Sequence, residues 1–495
     1  MKRFSLLLLL TIFVTTAVFS QSGLTAEKML EIDRVGSPVI SPDGQTVLYT
    51  VTDVNATANS SVTTIFTQPI SGQNSTSLTT GSAPIWRPDG KKIGFMRGGQ
   101  LWEMNPDGSG ATQVTHFETG IGNVLYSPDG KYISFTKNVK LDELAIDKYP
   151  DLTQANARLI DGLMYRHWDT FHNGTYRHLF YAPYADGKVT GDAVDVMIDE
   201  PYDTPLKPFG GVSQITWSPD SKSIVYTSKK LSGAEAAYST DSDLYLYSLT
   251  DKSTTNLTDF NPGYDFYPAF SPDGSRLAWL SMETPGYEAD KYRLMIRDMK
   301  TGEVRELSAG FDQNANAHMW SKDGNRIYFL SGIQGTVQIY YYDFRTRRAD
   351  PNIFKLTDGI HDYTGFDLGG TPRNPVLIAS RMSMSSPVEL FKVDVANGNS
   401  TPFTNVNASI LADVTMGNVE KRWVETTDGK QMLVWVIYPP DFDPNKKYPT
   451  LLYAQGGPQG TVSQFFSYRW NFQVMANNGY IVVAPNRRVL PSFGY

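Results

Sequence analysis

Three observations predict a mainly β protein: a seven-bladed β-propeller followed by the opening of an α/β sheet. A Ser-Pro-Asp-Gly turn recurs six times at blade-like spacing. Each copy leads into an alternating apolar strand, and beyond about residue 409 the repeat gives way to strands of a different kind. Composition agrees, because 41 Gly, 29 Pro and 28 Tyr in 495 residues suit short strands joined by tight turns.

Residues 1–20 stand apart. Lys2 and Arg3 precede an apolar run from Phe4 to Phe19 with small residues at its end. This is the pattern of a secretory signal cleaved after Ser20. The run is short for a spanning helix, and no later stretch is apolar enough to cross a membrane, so none is expected after cleavage. A secreted or periplasmic location follows as an expectation. With no cysteine, the exported chain must rely on its core, and thiol nucleophiles or cysteine-ligated metals are excluded. The net charge of −7, scattered along the chain, argues against nucleic acid as a partner.

Residues 21–408 carry the repeat. Its turn is Ser41-Pro42-Asp43-Gly44, then Arg87-Pro88-Asp89-Gly90, Ser127-Pro128-Asp129-Gly130, Ser218-Pro219-Asp220-Ser221, Ser271-Pro272-Asp273-Gly274 and Ser321-Lys322-Asp323-Gly324. Pro presets φ, Asp bonds its own backbone and Gly accepts positive φ. The turn aspartates are spaced by 46, 40, 91, 53 and 50 residues, and periods of this size match one four-stranded blade. The 91-residue gap reads as one blade with an insertion at roughly 138–177. A last blade without the turn, Val376 to Val393, brings the count to seven. In the insertion, Tyr165-Arg166-His167-Trp168-Asp169 reads equally as a loop reaching a ligand, with His167 and Trp168 at the cleft, or as a strand extension packed on its neighbour.

Residues 409–495 change character. Glu420 to Glu425 and Met432 to Tyr438 form a hairpin around Asp428-Gly429. Tyr448 to Tyr453 is expected as a buried strand and ends in Ala454-Gln455-Gly456-Gly457-Pro458. A helix is expected over 465–477, stopped by Gly479, before the buried strand Tyr480 to Ala484 and the run Pro485-Asn486-Arg487-Arg488. Strand, glycine loop, helix and strand are the front of an α/β sheet. A Gly-Gly loop after such a strand lets backbone amides face a cleft, where one can stabilise a developing oxyanion.

These features together resemble the prolyl oligopeptidase family of serine peptidases. The stretch Gln455-Gly456-Gly457-Pro458-Gln459 with Phe466-Ser467-Tyr468-Arg469-Trp470-Asn471-Phe472 is most similar to its bacterial dipeptidyl-peptidase branch. The resemblance implies an incomplete α/β-hydrolase domain after the propeller, with short peptides as substrates and no cofactor. It also places the oxyanion-hole amide at Gly457 with Gly456 before it, and the substrate cleft beside Gln455, Arg487 and Arg488. Two positions depart from the family: Gln455 stands where other branches have Tyr or His, and Val489 where they have Gly.

No Gly-x-Ser-x-Gly occurs in the 495 residues, and all six histidines lie before residue 409. The catalytic serine, acid and histidine are therefore absent, and the chain by itself is expected to be inactive. Two functions follow: the N-terminal portion of a serine peptidase, or a non-catalytic propeller that binds peptides or envelope partners. No metal site is expected, because His167, His172 and His178 lack a carboxylate pair at ligand spacing.

Overall fold

The computed structural model describes residues 22–72, 74–346, 352–457, 459–488 and 490–495. The signal-like segment 1–20, Pro458 of the glycine loop and the Val489 departure lie outside the described residues.

Each repeat folds as the turn chemistry dictates. In all six turns the fourth residue donates its N–H to the first residue's carbonyl, as in Gly44 to Ser41 (2.8 Å) and Gly274 to Ser271 (2.9 Å). The fourth residue has positive φ each time, and Ser221 adopts it (61°) where the others use glycine. The turn aspartate accepts the first residue's hydroxyl in five of the turns, for example Ser218 Oγ to Asp220 Oδ1 at 2.6 Å. The Ser271 hydroxyl holds the Asp273 carboxyl down at about 2, because that bond favours the charged form.

Each turn joins two paired antiparallel strands, the first five within sheets of four or five strands such as Ser82–Trp86, Ile93–Arg97, Gln100–Met104 and Thr112–Gln113. After five such meanders the chain forms an eight-stranded sheet whose halves, Asn316–Trp320 to Ile353–Lys355 and Asp362–Gly370 to Ser400–Pro402, join through one parallel bridge, Val337 to Asp362. The apolar cores lie between successive sheets. Leu48 and Ile65 pack on Ile93 and Phe95, Leu101 on Ile133 and Phe135, Leu179 on Ile224, and Val225 on Leu277. Leu280 then packs on Phe329, Leu330 on Leu377, and Ile378 returns to Val47 and Tyr49 of the first sheet. Sheets stacked this way form a closed ring, a propeller.

No strand crosses between the first and last sheets among the described residues. Their seam is held by side chains instead. Asp367 Oδ2 accepts the Ile40 N–H at 2.6 Å, and Gln68 Nε2 donates to the Phe403 carbonyl at 2.7 Å. Asn407 Oδ1 accepts the Asp33 N–H, while Asn407 Nδ2 donates to the Asp33 carbonyl. Gly44 meets Gly370 so closely that a Cβ on Gly44 would lie 2.4 Å from the Gly370 Cα.

The insertion leaves the ring between Tyr132–Lys140 and Thr175–Ala185, which pair along their whole shared length. Its base is clasped by Asp142, which accepts His172 Nε2–H at 2.6 Å and the Tyr176 hydroxyl at 2.7 Å. Near its tip Arg166–His167 pairs with Thr170–Phe171.

Beyond the ring a smaller sheet has the order Val419–Glu425, Gln431–Ile437, Ile481–Pro485, Thr450–Leu452. The last two run parallel, as a strand–helix–strand crossover requires. Two sequence expectations need correction here. The helix spans Phe472–Asn477 and does not begin at 465, because the Asn471 side chain caps it by accepting Gln473 N–H and Val474 N–H. Upstream, the Ser467 hydroxyl draws Arg469 and Trp470 into a turn. The strand Thr450–Leu452 is exposed, with Leu452 69% accessible, because it pairs on one side only and forms the sheet edge. The strand Ser22–Gly23 pairs with Val414–Thr415, and Leu24, Met29 and Ile32 pack with Val414 and Phe466, so residues 22–32 sit against this unit. Among the described residues no helix is long and apolar enough to cross a membrane.

Candidate active site

The glycine loop leaves the C-terminal end of Thr450–Leu452, where an open α/β sheet places its ligands. Gly457 has φ 61°, a left-handed conformation that glycine adopts without strain. A Cβ on Gly456 or Gly457 would meet nothing within 4 Å, so both backbones face open space. Arg487 Nη2 donates to the Gly457 carbonyl at 2.9 Å and fixes the turn from the next strand. Changing Gly457 to alanine should lower stability by about 1 kcal/mol through the positive φ alone. Urea unfolding of wild type and variant measures it.

The far end of the loop is clamped. Asn486 Oδ1 accepts the Val462 N–H at 2.9 Å and its Nδ2 donates to the Val462 carbonyl at 3.0 Å. Trp435 Nε1 donates to the same carbonyl at 2.9 Å, and Thr461 Oγ1 donates to the Pro491 carbonyl. From the propeller side, Asp362 Oδ2 accepts the Ser463 hydroxyl at 2.6 Å.

Two cavities meet at this loop. One of about 400 Å³ is bounded by Glu288, Asp290, Tyr292 and Asn314 of the propeller and by Gln459 and Ser463 of the loop. A larger one, about 1510 Å³, runs under the insertion and again reaches Gln459 and Glu288. Leu159, Ile160, Leu163 and Met164 of the insertion line it and are exposed. The Oε1 atoms of Gln455 and Gln459 are buried without a hydrogen-bond partner among the described residues.

The structure thus gathers Gln455, Gly456, Gly457 and Arg487 at one loop and sets His167 in the wall of the larger cavity. Arg488 points elsewhere and pairs with Asp428 in the hairpin turn. Trp168 stacks edge-on against Phe209, ring centres 5.6 Å apart, with His167 against its other side. The three histidines weighed as ligands are dispersed: His178 is buried between Asp195 and the Glu200 carbonyl, and His172 holds Asp142. Sequence reasoning missed Gln459, Glu288 and Asp362. Gln459 stood inside the quoted motif, but nothing local marks the other two.

The pattern of the TolB beta propeller domain matches residues 211–361. Over 95% of this chain and 69% of the relative, the sequence is 43% identical to dipeptidyl-peptidase 5 of Porphyromonas gingivalis. It is 41% identical to dipeptidyl-peptidase 5 of Porphyromonas endodontalis over 97% of this chain and 69% of that one. Among solved structures, an acylaminoacyl peptidase of Pyrococcus horikoshii superposes with a TM-score of 0.75 at 19% identity, covering 95% of this chain and 68% of that one. The fold is therefore shared with a peptidase that has diverged far in sequence. With ring, glycine loop and relatives in agreement, the chain belongs to the dipeptidyl-peptidase 5 group of the prolyl oligopeptidase family of peptidases.

Proposed function

We propose that this chain supplies the access ring and the oxyanion side of an exported serine peptidase that cleaves short peptides, of dipeptidyl or acylaminoacyl type. The ring has seven blades in this reading, counting each half of the eight-stranded sheet as one, and 409–495 is the front of an α/β-hydrolase domain. One observation carries it: Gln459, two residues beyond Gly457, lines both the cavity against the propeller and the larger one under the insertion with His167. A peptide entering under the insertion reaches a backbone amide able to stabilise the anion formed at its carbonyl oxygen. Attack on that carbonyl needs a nucleophile and a base, and the 495 residues hold no Gly-x-Ser-x-Gly to provide the first.

Residues 21–495 should accordingly bind short peptides saturably while releasing no product from dipeptidyl or acylaminoacyl reporter amides. Calorimetry and fluorogenic assays on the same preparation separate the two properties. Turnover that survives further purification overturns the assigned division of labour, and absence of saturable binding overturns the peptide cleft.

A further inference from the structure

The glycine loop is held from the propeller by a single buried carboxylate. Asp362 is 2% exposed and opens the strand Asp362–Gly370. Its backbone forms the one bridge between the halves of the eight-stranded sheet, and its Oδ1 accepts the Val337 N–H across that bridge at 2.9 Å. Its Oδ2 accepts the Ser463 hydroxyl, six residues beyond Gly457 and next to Val462, which Asn486 and Trp435 grip from the other side. The adjoining Gln464 side chain accepts the Met384 N–H, and the Phe466 N–H approaches the Met382 sulfur at 3.3 Å. Met382 is the register partner of Asp362. Val337 and Ser463 both line the 400 Å³ cavity, so this bond lies in its wall.

A carboxylate taken from water with only neutral partners is costly, and a hydrophobic or hydroxyl side chain would fill the place at less cost. Burial raises its proton affinity to about 6, opposed by the Ser463 hydroxyl and the amides of Gln464 and Val337. What the carboxylate offers is two acceptor oxygens at a fixed angle, one for the propeller and one for the loop. We infer that Asp362 is a positioning residue that, acting through Ser463, ties the segment following Gly456-Gly457 to the propeller beside the 400 Å³ cavity. The inference rests on the assignment of that loop as the oxyanion side. Its test reads loop order and needs no turnover, so its failure and that of the peptidase reading are separate.

Hydrogen–deuterium exchange of residues 21–495 tests it. In Asp362→Ala the amides of 456–464 should exchange at least tenfold faster than in wild type, while strands Arg276–Ser281 and Gln431–Ile437 stay within twofold. Ser463→Ala should give the same local loss with the bridge to Val337 intact, and it covers the case in which Asp362→Ala fails to fold. Asp362→Asn keeps an oxygen for Val337 and offers an N–H to Ser463, so it should restore protection to within threefold of wild type. Loop exchange unchanged in Ser463→Ala overturns the inference. So does a loss spread evenly over the whole sheet, or no recovery in Asp362→Asn.

Discussion

Replacing Trp435 by alanine is expected to lower stability by about 4 kcal/mol, in the range found when a buried Trp or Phe is truncated. The side chain is fully buried and packs with Leu433, Ile437, Val462, Phe472 and Val482, the core between the small sheet and its helix. Met384 of the last propeller sheet joins the same cluster, so the cavity would open at the junction of the two units. The indole N–H is lost from the Val462 carbonyl, which keeps only Asn486 Nδ2 as a partner. Urea unfolding of residues 21–495 reads the effect. Trp423, 44% exposed on the neighbouring strand, is the control, and its alanine variant should change stability by no more than about 0.5 kcal/mol. Equal losses at both positions would mean that the junction core contributes nothing special.

Replacing Asp265 by alanine should cost about 3 kcal/mol, because a buried donor is left without an acceptor. Asp265 is wholly buried in the propeller, where Oδ1 accepts Trp279 Nε1–H at 2.7 Å and Oδ2 accepts Asn261 Nδ2–H at 2.7 Å. Asn261 keeps the Met282 carbonyl, whereas the Trp279 indole has no other partner shown. Burial raises the Asp265 carboxyl from 3.8 to about 6, against the hydrogen bonds that favour its charged form. A carboxyl with raised proton affinity in the fold makes its contribution in full below pH 4. That contribution falls as pH rises through 6, because the native state must then ionise a buried acid. The gap between wild type and Asp265→Ala should therefore narrow from pH 4.5 to pH 8, by on the order of 2 kcal/mol. A gap that widens over that interval would mean that the bonds to the carboxylate outweigh its burial.

The ring was legible because its information is local. Turn, strand and period each lie within a few residues, and the 91-residue gap resolves into one sheet with an insertion between paired strands. The hairpin at Asp428-Gly429 and the glycine loop were readable for the same reason. Thr450–Leu452 was misjudged because an apolar run shows what a strand prefers, not how many neighbours it has. The helix start was missed because a cap depends on which side chain turns back, and Asn471 does so while the Ser467 hydroxyl bends the chain at Arg469 and Trp470. Asp362 and Asp265 could not be read at all. Each looks like an ordinary strand acid until the fold brings its partner: Ser463 lies 101 residues from Asp362, and Trp279 lies 14 from Asp265.

The seam between the first and last sheets has a consequence for how such a protein changes size. Since side chains close the circle and no backbone ladder spans the join among the described residues, a duplicated or deleted repeat elsewhere leaves the terminal contacts to be remade by Asp33, Asp367, Gln68 and Asn407, by the facing pair Gly44 and Gly370, and by the packing of Ile378 on Val47 and Tyr49. The number of repeats is then limited by how wedge-shaped each is, and the first and last sheets can meet at a different circumference.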